Sequence, residues 1–233
     1  MQNSIPLTAG AIALGLVVPA IAASNSYDHT DFSVIEASRG VHVRVVAGED
    51  YQITANANRQ RLLRRLELRQ SGDTLKISRR GSSIFLWGMA DRYQVTVSLP
   101  VLDGIGASSG AEFEVSGAVT DALEVSASSG SEVELERLSP SDLSLRTSSG
   151  AEITANGSCN RLLVRASSGS SVDAEEMVCA AAEIRTSSGA NVEAHVTETL
   201  AVRASSGSDI DVIGSPVVTL RETSSGGDLA LVN

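Results

Sequence analysis

The chain has 233 residues, a net charge of −10 and a pI near 4.8. That acidity argues against a nucleic-acid partner, whose phosphates it would repel. Aromatic residues are 3% of the chain against 42% hydrophobic overall, so the core must be filled by Val, Ile, Leu and Ala, which suits a narrow stack better than a broad globule.

Residues 1–23 carry no charged side chain and contain an apolar run from Ala9 to Ala23. The run is too short to span a bilayer comfortably, and Ala20-Ile21-Ala22 has the small-x-small pattern of a cleavage site. The segment reads as a secretory signal peptide, with an uncleaved N-terminal anchor as the alternative. No Cys lies near it, which argues against a lipid anchor, and no later stretch is long and apolar enough for a second span.

Residues 24–100 read as irregular coils that close one end of a repeat stack. Ala37-Ser38-Arg39-Gly40-Val41-His42-Val43-Arg44-Val45 matches the pattern of a later repeat, and Leu66–Ile77, with Ser71-Gly72 inside it, reads as a second degraded copy. Longer connections intervene: the basic stretch Arg59–Arg65 and the apolar stretch Ile84–Met89. The latter holds much of the scarce aromatic content and is either a buried end cap or an exposed contact patch. Tyr93–Leu99 alternates as a strand leading into the regular repeats.

From residue 101 onward the triplet Ser-Ser-Gly recurs, ending at Gly110, Gly130, Gly150, Gly169, Gly189, Gly207 and Gly226. Such a period means one short unit stacked on copies of itself. Three and five residues after each Gly stand apolar side chains, Ile153 and Ala155 for example, with polar ones between. Seven and five residues before it stand another apolar pair, such as Leu143 and Leu145. Each unit therefore has two short strands, each with one face buried, joined at a Ser-Ser-Gly corner. Gly117, Gly157 and Gly214 mark a second corner. The last unit fits if one residue near Glu222 is inserted, placing Val218 and Leu220 in the buried columns.

Two architectures satisfy this pattern, a β-helix with parallel pairing between coils and an antiparallel meander of hairpins. The meander would favour tight two-residue turns such as Asn-Gly, which Ser-Ser-Gly does not resemble. The favoured fold class is therefore all-β, a parallel β-helix of about 19–20-residue coils. Cys159 and Cys179 occupy equivalent positions in adjacent units. Strand spacing of about 4.7–4.9 Å would bring them within disulfide range. They are a disulfide candidate in an exported protein, or else two buried thiols.

The Phe32-Ser-Val-Ile opening, the Val-x-Val-x-Leu-Pro run at Val95–Pro100 and the Leu-x-Val-x-[Ala/Thr]-Ser-Ser-Gly units resemble the head GIN domain family of auto-transporter adhesins. The resemblance covers about residues 30–233. It implies a bacterial, exported, right-handed β-helical protein with an adhesin-like role, and it carries over no catalytic residue. Nothing in the chain reads as a membrane β-barrel translocator.

Gly106-Ala-Ser108-Ser-Gly110 matches a serine-hydrolase elbow, yet Ala-Ser-Ser-Gly recurs without the leading Gly and without a following helix, so the corner reading prevails. His29, His42 and His195 lie in no ligand spacing, the calcium β-roll signature is absent, and neither a metal nor a cofactor is expected. Glu112, Glu132 and Glu152 fall in one outward column, with Glu114 and Glu134 in the next. Stacked like charges repel, so they imply relief by water, by a bound cation, or use as a glycan-cleaving pair. Arg146, Arg165, Arg185 and Arg203 form a second column, with Arg221 joining it after the insertion. That column either grips an anionic glycan or pairs with the acids across the corner. Together these features predict a non-enzymatic β-helical protein of the envelope, periplasmic, surface-bound or secreted, that binds a glycan or an envelope protein. The alternative is a carbohydrate-active enzyme built on the stacked carboxylates.

Overall fold

The computed structural model describes residues 23–81, 93–117 and 121–232. Strands dominate because alternating Val, Ile and Leu positions leave one apolar face per strand to be buried. The N-terminal part contains β1 (Ala23–Tyr27), β2 (Val34–Ser38), β3 (His42–Ala47), β4 (Gln52–Ala57), the single helical turn α1 (Gln60–Leu63), β5 (Leu66–Ser71), β6 (Thr74–Arg79) and β7 (Tyr93–Leu99). The repeats supply β8 (Gly104–Ser108), β9 (Glu112–Ser116), β10 (Ala122–Ser128), β11 (Glu132–Leu138) and β12 (Asp142–Ser148). They continue through the long β13 (Glu152–Ala166), β14 (Ser171–Thr186) and β15 (Asn191–Ser205), then β16 (Asp209–Ile213), β17 (Val217–Ser224) and β18 (Asp228–Val232).

The strands stack into two parallel ladders. One runs β6, β2, β8, β10 and β12, then the C-terminal halves of β13, β14 and β15, and ends at β17. The other runs β7, β3, β9 and β11, then the N-terminal halves of β13, β14 and β15, and ends at β16 and β18. Neighbouring copies pair in parallel and in register, so the fold is a β-helix and not a meander. Between the ladders lies one continuous core that includes Val43, Val125, Leu145, Val164, Ile184 and Val202, all fully buried. Burying each Val, Leu or Ile side chain contributes about 1.5–3 kcal/mol.

The corner geometry differs from its sequence reading in one respect. Ser149 and Gly150 both have positive φ, 55° and 69°, and the Ala151 N–H donates to the Ser148 carbonyl at 3.2 Å. Ser-Ser-Gly thus does make a tight two-residue turn. It serves a coil because the flanking strands bond to neighbouring coils and not to each other: the Gly150 N–H donates to the Ser168 carbonyl one coil on, at 3.2 Å. The second corner is governed by closeness. At Gly157 (φ 131°) a Cβ would sit 2.0 Å from the Leu138 carbonyl oxygen, which only glycine permits.

Inside the first corner a pattern of hydroxyls links the coils. Buried Thr147 and Ser170, from successive coils, meet through their Oγ atoms at 2.8 Å, and Thr186 meets Ser208 at the same distance. Each Ser also accepts from the backbone N–H three residues earlier, Ser167 to Ser170 at 3.2 Å and Ser205 to Ser208 at 3.1 Å. Each buried hydroxyl in these pairs therefore has a partner.

The N-terminal region departs from a simple run of first coils. The coil formed by β2 and β3 lies between the β6–β7 coil and the β8–β9 coil, out of sequence order. Leu66–Ile77 is not a degraded coil: β5 and β6 pair antiparallel, with Ser71 opposite Thr74. A two-residue Gly72-Asp73 loop reads identically whether a hairpin or a corner follows, and here the hairpin prevails. β4 pairs antiparallel with β7 and β1 with β4, so antiparallel strands end both ladders on this side. β1 starts at Ala23, the last residue of the segment read as a signal peptide. The basic stretch 59–65 forms α1, whose Leu62 and Leu63 are buried against β1 and β4. The apolar stretch Ile84–Met89 lies outside the described residues. Among the described residues no helix is long and apolar enough to cross a membrane.

Candidate binding face

The two ladders present outward faces of opposite character. On the first, Arg146, Arg165, Arg185 and Arg203 are direct register neighbours on β12, β13, β14 and β15. Two residues beyond each Arg stands the first Ser of the corner: Ser148, Ser167, Ser187 and Ser205. Arginine and serine columns wall a shallow groove of about 810 Å³ that runs along the stack from Ser126 on β10 to Ser224 on β17.

Three of the four arginines are paired, though not with the acids across the corner. Their partners stand on the same face: Arg146 with Glu124, Arg185 with Glu183 at 2.8 Å, and Arg203 with Glu222 at 2.7 Å. Arg203 also approaches Glu183 at 3.9 Å. Arg165 makes no ion pair or hydrogen bond among the described residues, because Ser144 and Leu163 occupy the adjoining column at its level.

Arg221 does not extend this column. The inserted residue is Thr219, which bulges between Val218 and Leu220 and donates its hydroxyl to the Leu200 carbonyl at 3.1 Å. Val218 still falls in the Leu200 column, but Leu220 pairs with Ala201 and Arg221 with Val202. Glu222 thereby takes the arginine position, and Arg221 donates to the Leu229 carbonyl at 3.1 Å at the end of the stack. A bulge at Thr219 or at Glu222 gives the same apolar spacing for Val218, which is why the sequence does not separate them.

The second face is acidic. Glu112, Glu132 and Glu152 are register neighbours, as are Glu114 and Glu134. Glu114 is relieved by the out-of-order coil, with His42 Nε2 at 3.0 Å and the Arg44 Nε donating at 2.8 Å. Partial burial pushes the Glu114 carboxyl up, but the Arg44 hydrogen bond and the His42 and Arg44 charges hold it below the ordinary carboxylate range. Glu112, Glu132, Glu134 and Glu152 make no ion pair among the described residues. Further along, Asp173, Glu193 and Asp211 continue the Glu114 column. Carboxyl oxygens of Asp173, Glu175 and Glu193 lie within 4.8 Å of one another. Partial burial and the charge of Glu175, with Asp173 and Asp211 adding to it, push the Glu193 carboxyl up.

At the second corner Cys159 and Cys179 stand in register and are joined as a disulfide with a Cα separation of 4.5 Å. Ser108, in the elbow-like Gly106–Gly110 run, is a corner residue at the end of β8, like the Ser of every other repeat.

No curated protein sequence matches the chain. Several solved structures share its fold. A putative adhesin from Bacteroides fragilis is similar with a TM-score of 0.76 at 16% identity, over 90% of this chain and 95% of that one. One from Parabacteroides distasonis gives 0.70 at 15% identity, over 90% and 96%. A protein from the same organism described as a putative lipid binding protein gives 0.66 at 15%, over 91% and 96%. The family model described as "putative auto-transporter adhesin, head GIN domain" matches residues 31–216, and the chain belongs to that family.

Proposed function

We propose that the protein is a non-enzymatic, exported, adhesin-like component of the cell envelope that holds an extended glycan along the Arg–Ser groove. One observation carries this reading: successive coils set the same arginine and serine at the same height in one groove, repeated at the strand spacing of about 4.8 Å. A ligand matched to such a surface is itself a linear repeat. Guanidinium groups and hydroxyls along the walls suit the hydroxyls and acidic groups of a sugar chain. Export is supported by the apolar N-terminal segment, the disulfide and the adhesin family.

The carbohydrate-active alternative requires two carboxylates and a basic residue converging on a cleft. Glu112, Glu132 and Glu152 instead stand in a straight column and make no ion pair among the described residues, and the His42 beside Glu112 is turned to Glu114. A glycan array combined with a reducing-sugar release assay separates the two readings. Binding without turnover, lost on joint replacement of Arg146, Arg165, Arg185 and Arg203 by Ala, is expected. Turnover that disappears in Glu132→Ala would overturn it.

A further inference from the structure

The arginine column holds four cations, and the three acids Glu124, Glu183 and Glu222 engage three of them. One positive charge is left, and it belongs to Arg165, which is exposed and unpartnered among the described residues. Its register neighbours are Arg146 on one side and Arg185 on the other, each one strand spacing away. Across the groove stand Ser148, Ser167 and Ser187. An oxyanion placed at Arg165 would meet a fork of guanidinium donors with no carboxylate of its own coil to repel it, and hydroxyl donors from the opposite wall. At the neighbouring rungs the acids already satisfy the arginines, and a second anion there would have to displace them.

Resting on the groove reading above, we infer that Arg165 is the seat of a single oxyanion, so that the glycan this groove takes is sparsely acidic. It carries isolated carboxylate, sulfate or phosphate groups on a mostly neutral chain, not one charge on every sugar. The neutral sugars on either side lie against the ion-paired rungs, whose guanidinium and carboxylate groups offer alternating donors and acceptors to hydroxyls.

Calorimetric titration of the full chain tests this with four hexasaccharides on one neutral backbone: unmodified, and bearing a single uronate, a single sulfate or a single phosphate. Inorganic sulfate forms a fifth arm. At least one singly charged hexasaccharide is expected to bind ten-fold or more tightly than the neutral one, and the arm that does so identifies the oxyanion. Arg165→Gln is expected to abolish that preference, so that the singly charged and neutral chains bind the variant equally, with the melting temperature unchanged. Glu183→Gln, which uncovers Arg185, is expected to strengthen binding of a fully sulfated oligosaccharide several-fold. Equal affinity for neutral and charged chains, or a preference that survives Arg165→Gln, overturns the oxyanion seat but leaves the glycan groove standing. Inorganic sulfate binding as tightly as the sulfated sugar also overturns the seat as a glycan subsite. Failure of all four hexasaccharides to bind overturns both.

Discussion

The two outward faces of the stack are built by the same rule and solve its electrostatic consequence differently. Parallel in-register stacking places identical side chains one strand spacing apart, so any charged position repeated in sequence becomes a ladder of like charges. On the arginine face Glu124, Glu183 and Glu222 interleave and leave one cation open. On the acidic face Glu114 finds cations in His42 and Arg44 of the coil inserted out of order, Glu136 in Arg137 and Asp228 in Arg221. Glu112, Glu132, Glu134 and Glu152 stay unpaired among the described residues. A neutralised groove can hold a partner at close range, whereas a bare acidic ladder repels other copies and keeps the sheet solvated. On the proposed reading, recognition falls to the first face, and the second stays solvated.

The faces meet at the corners, so the most damaging changes are those that break the joints between them. Gly157→Ala adds a Cβ against the Leu138 carbonyl at a φ of 131° and is expected to cost about 3–5 kcal/mol, read by denaturant unfolding. Wild-type stability in that variant would mean the acidic face turns into the arginine face by another path. The joint replacement of Cys159 and Cys179 by Ser opens a crosslink between residues 20 apart and is expected to cost about 3 kcal/mol, or the same gain should appear on comparing oxidised with reduced protein. Gly150→Val acts at the opposite corner, where a Cβ would meet nothing within 4 Å and only the φ of 69° penalises it. About 2 kcal/mol is expected there, less than at Gly157.

The smallest expected effect sharpens the charge contrast. Glu193 has a raised folded-state pKa, so its ionised form opposes folding at neutral pH, and stability is recovered as pH falls through that raised value. Glu114 has a lowered one, so its contribution is present above the ordinary carboxylate range and is lost as pH falls through the depressed value. Glu193→Gln should therefore stabilise near pH 7 by no more than about 0.5 kcal/mol, and Glu114→Gln should destabilise by a similar amount. Melting temperatures between pH 7 and pH 3 check both signs. Destabilisation by Glu193→Gln would show that the acid cluster is held together by something other than water.

How much of this was legible in the sequence follows from what sets each feature. Columns such as Leu143, Leu162, Ala182 and Leu200 depend only on burial at fixed spacing, and they appear in the structure in that register. The Cys pair was readable for the same reason. The partner of Arg185 was missed although Glu183 stands two residues before it on the same strand face, a period-two signal that was present. The Thr147–Ser170 and Thr186–Ser208 pairs also had a signal: Thr before one corner alternates with Ser after the next, and Ala fills the complementary places. The place of the β2–β3 coil had none. Its ladder partners are chosen by tertiary packing, and a short alternating strand accepts a parallel neighbour from anywhere in the chain.

Residue-level labelling on a bound glycan tests the central claim most directly. Arginine modification and carboxyl modification, each read by mass spectrometry with and without a glycan selected from the array, report the two faces in one experiment. The account predicts that bound glycan shields Arg165, Arg185 and Arg203 while Glu132 and Glu152 react as in the free protein. Shielding of Glu132 and Glu152 with the arginines left reactive would contradict it.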